Sequence, residues 1–192
     1  MNFKESLRRM FRKTSETKDP VSVVLLQRVP RFLTKEMIAF AAERAWHRSF
    51  QSEDEHSRYF VVQEVSAAAL EHQDSFPKAV TFVKIGPWML NVLQTPQPYH
   101  PEMDVKALAR FLPQQTQRDA WLAHKAWIAI DCHNNDQQDE SKYCVMANLA
   151  SELLDDNVSG VYFPAKGALA PHDDQLHISL KGIANSKQIE IE

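Results

Sequence analysis

Short apolar runs alternate along this chain with amphipathic stretches, and the two periods predict different elements. Residues 21–27 (VSVVLLQ) form a continuous run rich in β-branched side chains, the pattern of a strand buried on both faces. Pro30 closes it, and Thr34 is placed to cap a helix reaching about residue 50. In that stretch Ile38, Ala41, Ala42, Ala45 and Trp46 keep the helical period, and polar Ser49 ends the stripe. Residues 58–65, 79–85 and 88–94 read as strands, the last two joined at Gly86-Pro87 as a hairpin. Between the first two, residues 66–74 fit either a short helix or a loop.

The second half repeats the alternation. After the proline-broken stretch 95–101, Met103, Ala107, Leu108 and Phe111 share one helical face. Pro113 then kinks or divides the helix before Trp121 and Leu122. Residues 125–132 (KAWIAIDC) are a strand, 133–140 a polar loop, and Ser141 caps a helix with the stripe Val145, Met146, Leu149, Ala150 and Leu153. Another strand covers 159–164. Near the end, Leu176, Ile178 and Leu180 fit a strand, whereas Leu176, Leu180 and Ile183 fit a helix. The order β-α-β-β-β-α-β-α-β predicts an antiparallel meander with some parallel pairing through crossovers. The expected class is α+β: a mixed, mainly antiparallel sheet with helices packed on one face.

Four stretches together resemble a known pattern. VSVVLLQRVP and KIGPWMLNVLQTPQPYH, together with HKAWIAID and LLDDNVSGVYFP, are similar to a bacterial domain family of unknown function over about residues 20–170. The likeness lies in hydrophobics and turns. It implies a single domain and a bacterial cytoplasm, and no activity.

Composition narrows the picture. The chain has 192 residues, 44% of them hydrophobic and 24% charged, which suits one globular domain over 20–192 behind a basic leader and linker at 1–19. Lys4, Arg8, Arg9, Arg12, Lys13 and Lys18, set against Glu5, Glu16 and Asp19, give the first twenty residues a net charge of +3; the whole chain is −3, so the remainder is −6. That acidic body argues against a nucleic-acid partner. Phe3, Leu7, Met10 and Phe11 lie on one face of a leader helix, so residues 1–13 suit an anionic membrane surface. So short a helix more commonly docks on protein or frays. Cys132 and Cys144 are too few for a disulfide framework, and no apolar run is long enough to span a bilayer. A reducing cytoplasm follows as the expectation.

Candidate chemistry is thin. Four scattered glycines (Gly86, Gly160, Gly167, Gly182) cannot build a phosphate-cradling loop, so no cofactor is expected. Asp131 and His133 close a strand and point to one face, with Cys132 opposite, which would let them orient a water or act as base and orienter. Residues of these types at a strand exit more often satisfy local hydrogen bonds. No two histidines stand three or four apart, which excludes an HExxH helix site. His133, His172 and His177 would make a metal site only by meeting from distant segments. The loop from Asp131 lacks the glycine and glutamate of a calcium loop, having Asp136 and Lys142 there. Cys144, near a helix start, reads as a small buried hydrophobe rather than a nucleophile. Trp88, Tyr99, Trp121, Trp127 and Tyr162 form an aromatic set, three of them on strands and so expected in the core. Tyr99 and His100, held between Pro96, Pro98 and Pro101, suit a stiff recognition loop for a peptide or protein partner, although prolines so placed more commonly just redirect the chain into the next helix.

The functional expectation is a non-catalytic binding or interaction module acting through a protein partner or a homo-oligomer. Two alternatives stand beside it. One is a metal-assisted or general-base hydrolase using Asp131 and His133; the other is a peripheral membrane protein held by residues 1–13.

Overall fold

The computed structural model describes residues 21–50, 57–65, 79–99, 105–134 and 137–191. The leader, the 66–74 stretch and His100 lie outside the described residues.

Among the described residues, seven strands form one sheet: β1 (Val21–Gln27), β2 (Tyr59–Val65), β3 (Ala79–Ile85), β4 (Trp88–Thr95), β5 (Ala126–Cys132), β6 (Val158–Phe163) and β7 (Ala168–Pro171). Their spatial order is β2-β3-β4-β5-β1-β6-β7. Five described helices accompany them: α1 (Lys35–Trp46), α2 (Val105–Ala109), α3 (Gln115–Ala123), α4 (Asp139–Leu153) and α5 (Leu176–Ala184). The class is α+β.

Two finer expectations are corrected. Every strand pair is antiparallel, so the sheet is not mixed. The β5-α4-β6 passage does bring the chain back in the same direction, but β1 is inserted between the two strands and pairs antiparallel with both. Helices also cover both faces. Val21, Val23 and Leu25 of β1, with Ile128, Ile130, Leu90 and Val92, pack in one core with residues of α1, α4 and α5. Val24 and Leu26 turn the other way and meet Ala109, Ala120 and Trp121 from α2 and α3. The double-sided run of β1 demands cover on both sides, and a single helical layer supplies only one.

Local chemistry sets the helix ends. Thr34 caps α1 through its Oγ1, which accepts from the Met37 N–H at 3.4 Å. His47 ends α1 in the left-handed region at φ 54°, and its N–H donates to the Glu43 carbonyl. The α4 helix starts two residues before the expected Ser141 cap. Asp139 and Glu140 then occupy its first turn, where carboxylates complement the helix dipole. In α4 even Lys142 and Ser151 are buried, because the helix lies against β1 between α1 and α5. The ambiguous C-terminal stretch is helical: Leu176 and Leu180 are buried and Ile178 is exposed, so the 3.6 period wins. Strand β7 was not legible, being four residues with a proline at an edge.

A polar clamp joins the loop before α1 to the sheet. The Gln94 side chain accepts from the Leu33 N–H at 2.7 Å and donates to the Leu33 carbonyl at 2.9 Å. Gln63 donates to the same carbonyl at 3.1 Å and to Thr81 Oγ1 at 2.9 Å. Gln94 is only 8% exposed, so water cannot replace it readily. Gln94→Ala strands the buried Leu33 amide and is expected to cost about 1–3 kcal/mol in urea denaturation, whereas Gln63→Ala, which leaves Gln94 in place, costs less.

Candidate functional site

Three neighbouring strands each place one polar residue in the same row. The register sets Ser22 of β1 opposite Asp131 of β5, and Asp131 opposite Asn91 of β4. Directly opposed residues share a face, so the three side chains stand together on the side away from α1, α4 and α5. Cys132 points to the opposite face, into the larger core, as the strand period predicts.

The row is bonded within itself. Ser22 hydrogen-bonds the Asp131 carboxylate. The Asn91 side-chain amide meets His133 Nε2 at 2.7 Å. With the amide nitrogen as donor, Nε2 accepts and the ring proton sits on Nδ1. Burial pushes the Asp131 carboxyl above its ordinary value, against the pull of Ser22 and of His133. Burial also lowers His133, against the nearby Asp131 charge. Asp131 and His133 thus stand close together, with Ser22 and Asn91 beside them.

Beside this row lies a cage of aromatic rings. The Tyr99 ring packs edge-on against Trp127 (5.5 Å), Tyr162 (5.7 Å) and Trp121 (6.4 Å). Its backbone N–H donates to His124 Nε2 at 3.0 Å, and His124 Nδ1 bonds the Trp121 carbonyl. Both ring nitrogens are therefore committed, with the proton on Nδ1. Burial raises the Tyr99 phenol, with smaller contributions from Tyr162 and Asp131. Tyr99 is a half-buried member of the second core, and His124 holds its backbone N–H. Trp88 belongs to the other core, so it stands apart from the aromatic cage.

The histidine metal set does not assemble. His133 follows the end of β5 that pairs with Val21, whereas His172 follows the end of β7, next to Gly160 and Leu26. These are opposite ends of β1, roughly 20 Å apart at the usual strand rise. His172 Nδ1 bonds the Val158 carbonyl at 2.6 Å, and His177 is exposed on α5. Among the described residues, no group of three or more His, Cys, Asp or Glu side chains lies close enough to hold a metal ion. The cysteines offer no nucleophile at this face. Cys132 is buried, and that burial pushes its thiol up to about 11. Cys144 is buried as well.

At the His172 end a groove opens that the sequence did not announce. It encloses about 240 Å³ between α3 and the ends of β1, β6 and β7. Arg28, Thr116, Asp119, His172 and Asp173 line it. Ser22 and Asn91 were in principle legible, since each is a polar residue interrupting an apolar strand run. Arg28 and Asp119 carried no such signal. Compared with protein-family models, curated proteins and solved structures, the chain matches none. No described helix is long and apolar enough to cross a membrane.

Titration of His124 gives a pH prediction. Burial holds His124 below the ordinary histidine value, opposed by the Trp121 carbonyl and aided by Lys125. The unfolded chain then binds a proton that the folded chain does not. Stability is full above the unfolded histidine pKa and falls as pH drops toward the folded value. His133 acts in the same direction. Asp131, with its raised pKa, acts oppositely at lower pH. Urea denaturation between about pH 8 and pH 5 is expected to show declining stability. His124→Gln is expected to flatten that decline, while lowering stability at every pH because Gln does not reproduce both bonds.

Proposed function

We propose that this protein is a non-catalytic binding module of the bacterial cytoplasm that engages a protein partner. One observation carries the reading: in the Asp131–His133 row and the aromatic cage beside it, the side chains suited to act as base or nucleophile are already engaged by the fold. His124 uses both ring nitrogens, Asp131 is held by Ser22, and His133 is held by Asn91. Cys132 is a buried thiol pushed far above neutral pH. A working general base needs a free lone pair facing substrate, and these groups direct theirs inward. The free cysteines, both buried, suit a reducing compartment. The resemblance to a bacterial family of unknown function agrees with this setting and adds no chemistry.

The groove at Arg28 is the surface through which the module engages its partner. The Arg28 side chain is exposed, with Asp119 and Asp173 in the same lining. Mixed charge suits a polar protein segment, and the carboxylates disfavour a phosphate backbone. The test is a quantitative pull-down on wild type, Arg28→Asp and Asp131→Asn. Capture of the protein partner is expected to weaken about tenfold in Arg28→Asp and to persist in Asp131→Asn. Partner capture indifferent to Arg28, or none at all, overturns the reading.

A hydrolase is the second reading, favoured by the convergence of Asp131, His133, Asn91 and Ser22 on one face. Its test is turnover of simple ester and peptide substrates. Under the binding-module reading, Asp131→Asn and wild type are equally inactive; turnover lost in the variant establishes the hydrolase instead. The membrane-surface proposal for residues 1–13 is tested by liposome flotation of the full chain and of Leu7→Asp. Reduced flotation of the variant on anionic vesicles supports it, and equal behaviour removes it.

A further inference from the structure

The segment after α5 forms a strap without regular structure against the β3–β4 turn and the adjoining ends of β2 and β4. Residues 187–191 make no backbone–backbone hydrogen bond to another described residue. Side chains hold them instead. Trp88 Nε1–H donates to the Glu190 carbonyl at 3.1 Å, and the Tyr59 hydroxyl donates to the Ile191 carbonyl at 2.7 Å. Ile189 and Ile191 pack against the larger core, while Glu190 between them is exposed. Farther back, Lys187 Nζ donates to Gln138 Oε1 at 3.1 Å.

The receiving surface is shaped for this backbone. Gly86 sits in the β3–β4 turn at φ 56°. A Cβ there would lie 2.2 Å from the Ile191 carbonyl oxygen, so only glycine admits the strap. Two donors spaced for successive carbonyls, a bare backbone floor and apolar seats for alternate side chains make up a peptide slot. This is the pattern by which extended peptides are recognised elsewhere: main-chain bonds hold the segment and alternate side chains specify it.

We propose that the Tyr59–Gly86–Trp88 slot is an exchangeable peptide site, and that its occupant in the self-associated protein is residues 189–191 of a second copy. The sequence that fits the slot is the chain's own, so every copy carries both the slot and the matching Ile-Glu-Ile segment. The link from α5, residues 185–188, has no regular structure to break when the strap leaves. Reciprocal exchange between two copies fills both slots and closes the assembly as a swapped pair. This site is separate from the Arg28 groove, and each is tested by its own variant.

The experiment uses the full chain and an acetylated, amidated peptide of residues 188–191 (QIEI). Trypsin cleavage after Lys187 reports strap release. It is expected to proceed under native conditions, well before global unfolding, and to quicken several-fold at about 10 mM peptide, which competes with a strap tethered at an effective concentration in the millimolar range. Light scattering at rising protein concentration is expected to show a dimer that the peptide suppresses. Trp88→Phe and Tyr59→Phe, which remove one donor each, are expected to speed cleavage and weaken the dimer. Cleavage only upon global unfolding, or a rate unmoved by peptide, overturns the exchangeable site in the wild-type protein whatever the variants do. A chain that stays monomeric while its strap responds to peptide overturns the second copy as occupant. An Arg28→Asp protein that still forms the peptide-sensitive dimer separates this proposal from the groove.

Discussion

The structure depends on a strand with no wet side. Five of the seven β1 residues are apolar and buried, facing alternately into two separate cores, and neighbours pair with both of its edges. Of its two polar residues, Ser22 keeps partial exposure and Gln27 is buried. Its backbone groups must be matched by β5 and β6, and its side chains must be matched by helices above and below. Gln27 shows how costly a lapse is: its Oε1 is buried with no hydrogen-bond partner, a burden of about 1–3 kcal/mol. Placing β1 at the centre of the β5-β1-β6 trio also sets the sheet order around it.

That constraint explains which parts of the fold were readable. The double-faced run of VSVVLLQ identified a central strand, and the 3.6 period of Ile38, Ala41, Ala42 and Ala45 identified α1. The periods carry no information about which strand lies beside which. Antiparallel insertion of β1 between β5 and β6 is a long-range choice, and local patterning pointed to parallel crossovers instead. Helices on both faces were implied by the same apolar run, because a strand buried on two sides needs two covers. Strand β7 failed to show because it borrows its stability from pairing with β6 rather than from a pattern of its own.

The candidate site was legible to the same partial degree. Strand period alone placed Asp131 and His133 on one face and Cys132 on the other. Ser22 and Asn91 joined them only through register, which no single segment encodes. The prolines around Tyr99 were compatible with a recognition loop or with a simple redirection of the chain. The stiffness of that stretch fixes a backbone N–H against His124, and the ring completes an aromatic cage. Polar and aromatic residues that suggested chemistry are thus largely explained by the matching of buried groups. Open chemistry lies at the ends of the sheet, in the mixed-charge groove and under the strap.

The order in which the chain is synthesised adds a final consequence. Val24 finds its partners in Ala129 and Tyr162, which leave the ribosome long after it does. Meanwhile β3 and β4 can pair with each other at once through their tight turn. The most water-averse strand therefore emerges early and waits for both neighbours, with its apolar run exposed throughout. Closure of the sheet is therefore a late, non-local event rather than a progressive winding along the chain.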